Sequence, residues 1–137
     1  MDIDISDAVH SQAVPANEEY KLQCVGAEMK GEAGKEYGRF LSMNFAIQDV
    51  VGAKLVSEAY WHPSDAKEVK FGDRTMTAEE SKNARKCALK DLCAAFELDY
   101  NTITPGDFIG LTASAILKVK SDPKYGDSNK IQRWIKA

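Results

Sequence analysis

The chain has 137 residues, 44% of them hydrophobic and 28% charged, with 18 Lys plus Arg against 21 Asp plus Glu for a formal net charge of −3. A chain of this length and composition folds as one globular domain and is not a disordered polymer. No apolar run reaches the length of a membrane span, and the negative total excludes a polycation that coats nucleic acid by bulk charge.

Residues 1–18 hold Asp2, Asp4, Asp7 and Glu18 without a basic residue, and Pro15, Ala16 and Asn17 close the stretch. It reads as a mobile or loosely docked acidic arm, with residues 19–137 as the single domain. Met1-Asp2-Ile3-Asp4-Ile5 lacks the basic and apolar pattern of a signal peptide, so a cytoplasmic location is expected. The first strand runs from Glu19 to Lys30, where Tyr20, Leu22 and Cys24 alternate with Lys21 and Gln23. Gly31 to Glu36 forms a hairpin-type connection. The second strand, Tyr37 to Gln48, places Leu41, Met43, Phe45 and Ile47 on one face and Phe40, Ser42, Asn44 and Ala46 on the other. A turn around Gly52 leads to a third strand, Lys54 to Trp61, and a polar connection then covers His62 to Met76.

Thr77-Ala78-Glu79-Glu80 is a capping box opening a helix that runs to about Phe96. Its apolar stripe is Ala84, Cys87, Ala88, Leu92, Ala95 and Phe96, widened by Leu89 and Cys93, with Lys82, Arg85, Lys86 and Lys90 mostly opposite. A fourth strand spans about Leu111 to Lys120. Ser121 to Ser128 is rich in turn residues, and a fifth strand covers about Asn129 to Ile135. The expected class is all-β with one helix. Three strands, a helix and two strands match a five-stranded OB-fold barrel, with an open α+β sheet as the alternative.

The chemistry-bearing residues are few. Cys24, Cys87 and Cys93 fit buried reduced thiols, and His10 and His62 are the only imidazoles. No metal-ligand spacing, phosphate-binding glycine loop or nucleophile elbow is present, so no metal, cofactor or enzymatic activity is expected. An OB barrel binds across strands two and three, between the first hairpin and the last. Here those connections share a composition: Lys35, Tyr37, Arg39 and Phe40 in the first, and Lys124 and Tyr125 in the second, followed by Lys130 and Arg133. Rings that stack on bases beside cations that track phosphates suit single-stranded nucleic acid. Tyr60, Trp61, Lys118, Lys120 and Trp134 complete the candidate site. Tyr60 and Trp61 must face opposite ways, and Trp134 faces outward only if no bulge interrupts the alternation with Ile131 and Ile135.

Glu19-Tyr20-Lys21-Leu22 after the acidic arm, then Lys35-Glu36-Tyr37-Gly38 leading into Leu41-Ser42-Met43-Asn44-Phe45-Ala46-Ile47, resembles the opening of bacteriophage single-stranded DNA-binding proteins. Ala88-Leu89-Lys90-Asp91-Leu92-Cys93, Phe108-Ile109-Gly110 and Lys124-Tyr125-Gly126-Asp127-Ser128-Asn129-Lys130-Ile131 resemble their second half. The resemblance covers about residues 14 to 137. It implies an OB-fold protein of phage replication or recombination in the host cytoplasm, coating single strands with little sequence preference and without catalysis. Its partners would be single-stranded DNA, replication or recombination proteins and further copies of itself, but no membrane. The resemblance assigns binding to Tyr37, Arg39 and Phe40 and to Lys124 and Tyr125. One departure stands out: many such proteins end in an acidic tail, whereas this chain ends Arg133-Trp134-Ile135-Lys136-Ala137. The competing expectation is a protein-interaction module on the same fold.

The charge is unevenly distributed. Residues 1–19 carry −5, the rest of the chain +2, and residues 118–137 alone +4. The small negative total averages an acidic arm and a basic closing hairpin.

Overall fold

A computed structural model describes residues 11–35, 38–101 and 103–136. The alternating patterns produce strands β1 (Glu19–Lys30), β2 (Phe40–Ile47) and β3 (Val56–Trp61). A small hairpin of β4 (Val69–Phe71) and β5 (Arg74–Met76) precedes helix α1 (Ala78–Ala95), and β6 (Thr112–Asp122) and β7 (Gly126–Trp134) close the fold. The domain is mostly β with one helix. Its main sheet has five antiparallel strands in the order β3-β2-β1-β6-β7.

The core follows from the period of two. Leu41, Met43, Phe45 and Ile47 of β2 are all buried, and the register sets Phe45 between Cys24 of β1 and Val56 of β3. From β6, Ala113, Ala115 and Leu117 join the same layer. Phe45, Phe108, Leu22, Met43, Leu92 and Leu117 are fully buried, each stabilising the fold by about 1.5–3 kcal/mol. Burial also pushes the Cys24 and Cys93 thiols above their ordinary range, with Asp99 adding to the effect at Cys93. Cys87 is exposed.

Helix α1 starts as its sequence dictates. The Glu80 amide donates to the Thr77 hydroxyl at 3.1 Å, and the Thr77 amide donates to the Glu80 carboxylate at 3.3 Å. Its buried apolar residues all fall in the second half, Leu92, Cys93, Ala95 and the capping Phe96, while the first half buries Ser81 alone. Ala84, Cys87 and Ala88 of the expected stripe are exposed, because the first half of the helix stands over a groove rather than over the sheet.

The two edge strands of the sheet, β3 and β7, share no backbone ladder among the described residues. Side chains join them instead. The Lys130 ammonium donates to the Ser57 carbonyl, the Ile131 amide to the Glu58 carboxylate at 2.8 Å, and the Trp134 indole to the Tyr60 hydroxyl at 2.8 Å. The sheet is therefore curled until its edges meet, without closing by backbone pairing.

Three segments differ from the sequence-based expectation. Residues 62–76 contain the β4–β5 hairpin where a plain connection was expected. Strands β6 and β7 run on through most of the turn-rich stretch, leaving only 123–125 as the turn. The described part of the arm is docked: Val14 is buried, Gln12 bridges Ala53, and the Asn17 amide donates to the Leu117 carbonyl at 2.8 Å. Its anchor is the buried Asn129, which accepts from the Val14 amide at 2.8 Å and donates to the Val14 carbonyl at 2.9 Å and the Lys118 carbonyl at 3.2 Å. Residues 1–10 lie outside the described residues.

Replacing Asn129 by Ala leaves the Val14 amide and carbonyl without their partner. The expected loss is about 2 kcal/mol of unfolding free energy in a denaturant titration. Amide exchange at Gln12, Val14 and Lys54 should accelerate with it. Unchanged exchange would show that the segment is held by something other than Asn129.

Candidate nucleic-acid interface

The register of β2 and β3 decides which side chains share the outer face. Phe40 pairs with Trp61, Ser42 with Ala59 and Asn44 with Ser57, on the side opposite the core pairs Leu41–Tyr60 and Phe45–Val56. The Phe40 and Trp61 rings touch at one end of this face, 4.9 Å between centroids and tilted by 50°. Arg85 of α1 lies 5.9 Å from the Trp61 ring and is held there by donating to the His62 carbonyl at 2.8 Å. Between the ends the floor is made of small polar or apolar side chains. The Ser57 hydroxyl donates to the Asn44 side-chain oxygen at 2.7 Å.

Across the seam, the same outer side of β6 and β7 is cationic. Lys118 sits directly opposite Lys130, Lys120 opposite Ser128, and Arg133 opposite Ile116. The Lys130 ammonium is turned across the seam to the Ser57 carbonyl, so the two lysines spread their charge along this side rather than meeting head to head. Lys118, Lys120 and Lys130 line a hollow at the seam together with Glu58 and Ala59 of β3. A second groove of about 660 Å³ runs between α1, β3 and β7, with Arg85, Trp61 and Arg133 on its walls and Ala59, Ala84 and Ala88 among its lining.

The two hairpin turns stand at opposite ends of the β2–β3 face, about 20 Å apart for a six-residue strand. At the Trp61 end, Asp65 accepts from the Arg39 amide at 2.8 Å, its Nε at 2.9 Å and its Nη2 at 3.1 Å. The Arg39 side-chain hydrogen bonds, then its amide, hold the Asp65 carboxyl well below the usual carboxylate range. Gly38 has φ +81°, and a Cβ there would stand 2.3 Å from the Asp65 Cβ, so only glycine fits. At the other end, the Asp122 carboxylate accepts from the Lys124 amide at 2.8 Å and the Tyr125 amide at 3.0 Å, which lowers its pKa and shapes the turn. Lys124 lies 5.2 Å from the Tyr125 ring, which is 72% exposed. Lys54 docks this turn by donating to the Asp127 carbonyl at 2.8 Å.

The structure thus brings Phe40, Trp61, Lys118, Lys120, Lys130 and Arg133 to one outer surface, with Lys124 and Tyr125 at one end and the exposed Lys35 in the turn at the other. Tyr37 lies outside the described residues. Arg39 faces this end but its guanidinium is engaged by Asp65. Tyr60 and Trp134, both candidates for the binding surface, turn instead to the core side, and of Tyr60 and Trp61 it is Trp61 that lies outward. Trp134 packs against Phe45 and Phe96 at 5.2 Å each, and burial raises the Tyr60 phenol far above its ordinary value. A bulge opposite Ile116 and Leu117 makes Gln132 the extra residue, so Ile131 and Trp134 both point to the core.

Arg85, Lys54 and Asp65 were not legible as parts of this surface. Arg85 belongs to a basic helix face of the kind that is usually solvated, and only the tertiary fold sets it beside Trp61. Among the described residues no cluster of His, Cys, Asp and Glu could hold a metal ion, and no helix is long and apolar enough to cross a membrane. No protein-family model matches the chain, and no curated protein matches it at a significant level.

Because Asp65 titrates below its unfolded value of about 3.9, its stabilising contribution is complete above that pH and is lost as pH falls. Asp65→Asn should therefore melt lower than wild type at pH 7, and the gap should narrow as the pH is taken from 5 to 2. A gap independent of pH would show that the carboxylate charge is not what holds Arg39.

Proposed function

We propose that this protein binds single-stranded DNA with little sequence preference, the strand lying across the outer face of β2 and β3 between the two hairpin turns. The observation that carries this reading is the continuity of that face. It runs from the Phe40–Trp61 pair over a floor of small side chains to the lysines Lys118, Lys120 and Lys130. Of the two outward carboxylates of the neighbouring β1, Glu28 is neutralised by Lys30 at 3.2 Å while Glu19 stands opposite Ile116, and Glu58 is turned into the seam.

The surface suits a strand whose bases are unpaired. Phe40 and Tyr125 offer rings to bases, the lysines offer charge to phosphates, and the small floor lets the backbone approach. The curled sheet with edges bridged between β3 and β7 supports an OB-fold barrel of the phage single-stranded DNA-binding type. On this reading the chain serves replication or recombination of a phage genome inside the host cell, and its chemistry is binding rather than catalysis.

Fluorescence anisotropy with a labelled oligothymidine and a duplex of equal length, at two salt concentrations, tests the proposal. The single strand should bind better, with affinity falling steeply as salt rises. Phe40→Ala should weaken binding roughly 5- to 150-fold, the worth of one stacked base. Lys118→Ala should reduce the salt slope by about one unit. Equal affinity for the duplex, or no binding at low salt, would overturn the proposal.

A further inference from the structure

The β4–β5 hairpin has no counterpart in the three-strand, helix, two-strand plan, and its composition is not that of a structural filler. Its strands pair only with each other, Val69 with Met76, Lys70 with Thr75 and Phe71 with Arg74. Val69 and Met76 at the root are half-buried, while every residue from Lys70 to Thr75 is exposed. Phe71 is 57% exposed at the tip, beside a Gly72 with φ +58° and open space around it. A cross-strand pair projects to one side, so the Phe71 ring and the Arg74 guanidinium share a face. Among the described residues neither Lys70 nor Arg74 forms an ion pair.

The root of this hairpin is fixed beside the aromatic end of the outer face. Strand β3 ends at Trp61, the His62 amide donates to the Arg39 carbonyl at 2.9 Å, and Asp65 is locked to Arg39. On the other side the hairpin leads straight into the Thr77 cap of α1, whose Arg85 holds the His62 carbonyl. Three residues per strand carry the tip about 10 Å beyond that rigid base.

We propose that the β4–β5 hairpin is a second contact arm for the single strand, engaging nucleotides that leave the outer face past Phe40 and Trp61. Phe71 stacks on a base, and Arg74 on the same face contacts a flanking phosphate. This inference rests on the single-strand reading of the face. It adds a site beyond it, one that lengthens the footprint rather than creating the primary affinity.

Oligothymidines of about six and about twenty nucleotides separate the two contributions, since one such fold covers roughly 4–16 nucleotides. Wild type and Phe71→Ala should bind the short strand equally, and Phe71→Ala should lose about fivefold or more on the long one, with Phe71→Trp restoring it. Melting temperatures should be unchanged, because the tip contributes nothing to the core. If wild type binds both strands and Phe71→Ala matches it on each, the arm is refuted while the face stands. The same holds if Phe71→Ala lowers binding of a protein partner but not of the long strand. If wild type binds neither strand, the face and the arm both fall.

Discussion

Strands β3 and β7 meet through three side-chain hydrogen bonds, from Lys130 to Ser57, from Ile131 to Glu58 and from Trp134 to Tyr60. Together the bonds serve both surfaces of the sheet. The Trp134–Tyr60 contact lies on the core side, where the indole also packs against Phe45 and Phe96. The Lys130–Ser57 contact lies on the outer side, where it brings the cationic pair Lys118 and Lys130 beside the floor of β3. Opening the seam would expose the aromatic core and separate the cations from the aromatic end of the face. A backbone ladder would hold the edges with more bonds, but side chains let a bulged β7 turn Trp134 inward.

The second fixed point is the Arg39–Asp65 clamp. A bidentate guanidinium–carboxylate pair reinforced by a backbone amide orders the exit of the β1–β2 turn against the stretch that follows β3. It places Phe40 against Trp61 and sets the root of the β4–β5 hairpin. The Arg39 guanidinium is thereby committed to Asp65. At the far end, Asp122 and Lys54 do the corresponding work for the turn carrying Lys124 and Tyr125. Both ends use a carboxylate to shape a basic turn, which leaves fewer free anions near the proposed strand.

Elements governed by local periodicity were legible from sequence. The alternation in β2 gave its buried and outer faces, and Thr77 and Glu80 marked the start of α1. Features set by long-range geometry were not. Nothing near Asn129 signals that its amide would anchor Val14, 115 positions away. The exposed half of α1 shows the ordinary helical stripe, and only its position over a groove keeps Ala84 and Ala88 out of the core. Trp134 is the sharpest case: alternation alone points it outward, and one extra residue in β7 reverses it. The β4–β5 hairpin escaped because three-residue strands around Phe71-Gly72-Asp73-Arg74 are too short to show a period. Of the candidate site, the outward Phe40 and the lysines were visible, whereas the pairing of Phe40 with Trp61, and the places of Arg85 and Lys54, needed the fold.

The central claim is that one outer surface, from Phe40 and Trp61 to the lysines of β6 and β7, receives a single strand. Ultraviolet crosslinking of the protein to a photoreactive oligothymidine, followed by mass-spectrometric mapping of the attached peptides, addresses it most directly. Crosslinks are expected in residues 38–44, 57–61 and 118–133. Crosslinks confined to the opposite side, around Met29, Tyr100 and Ile109, would contradict it.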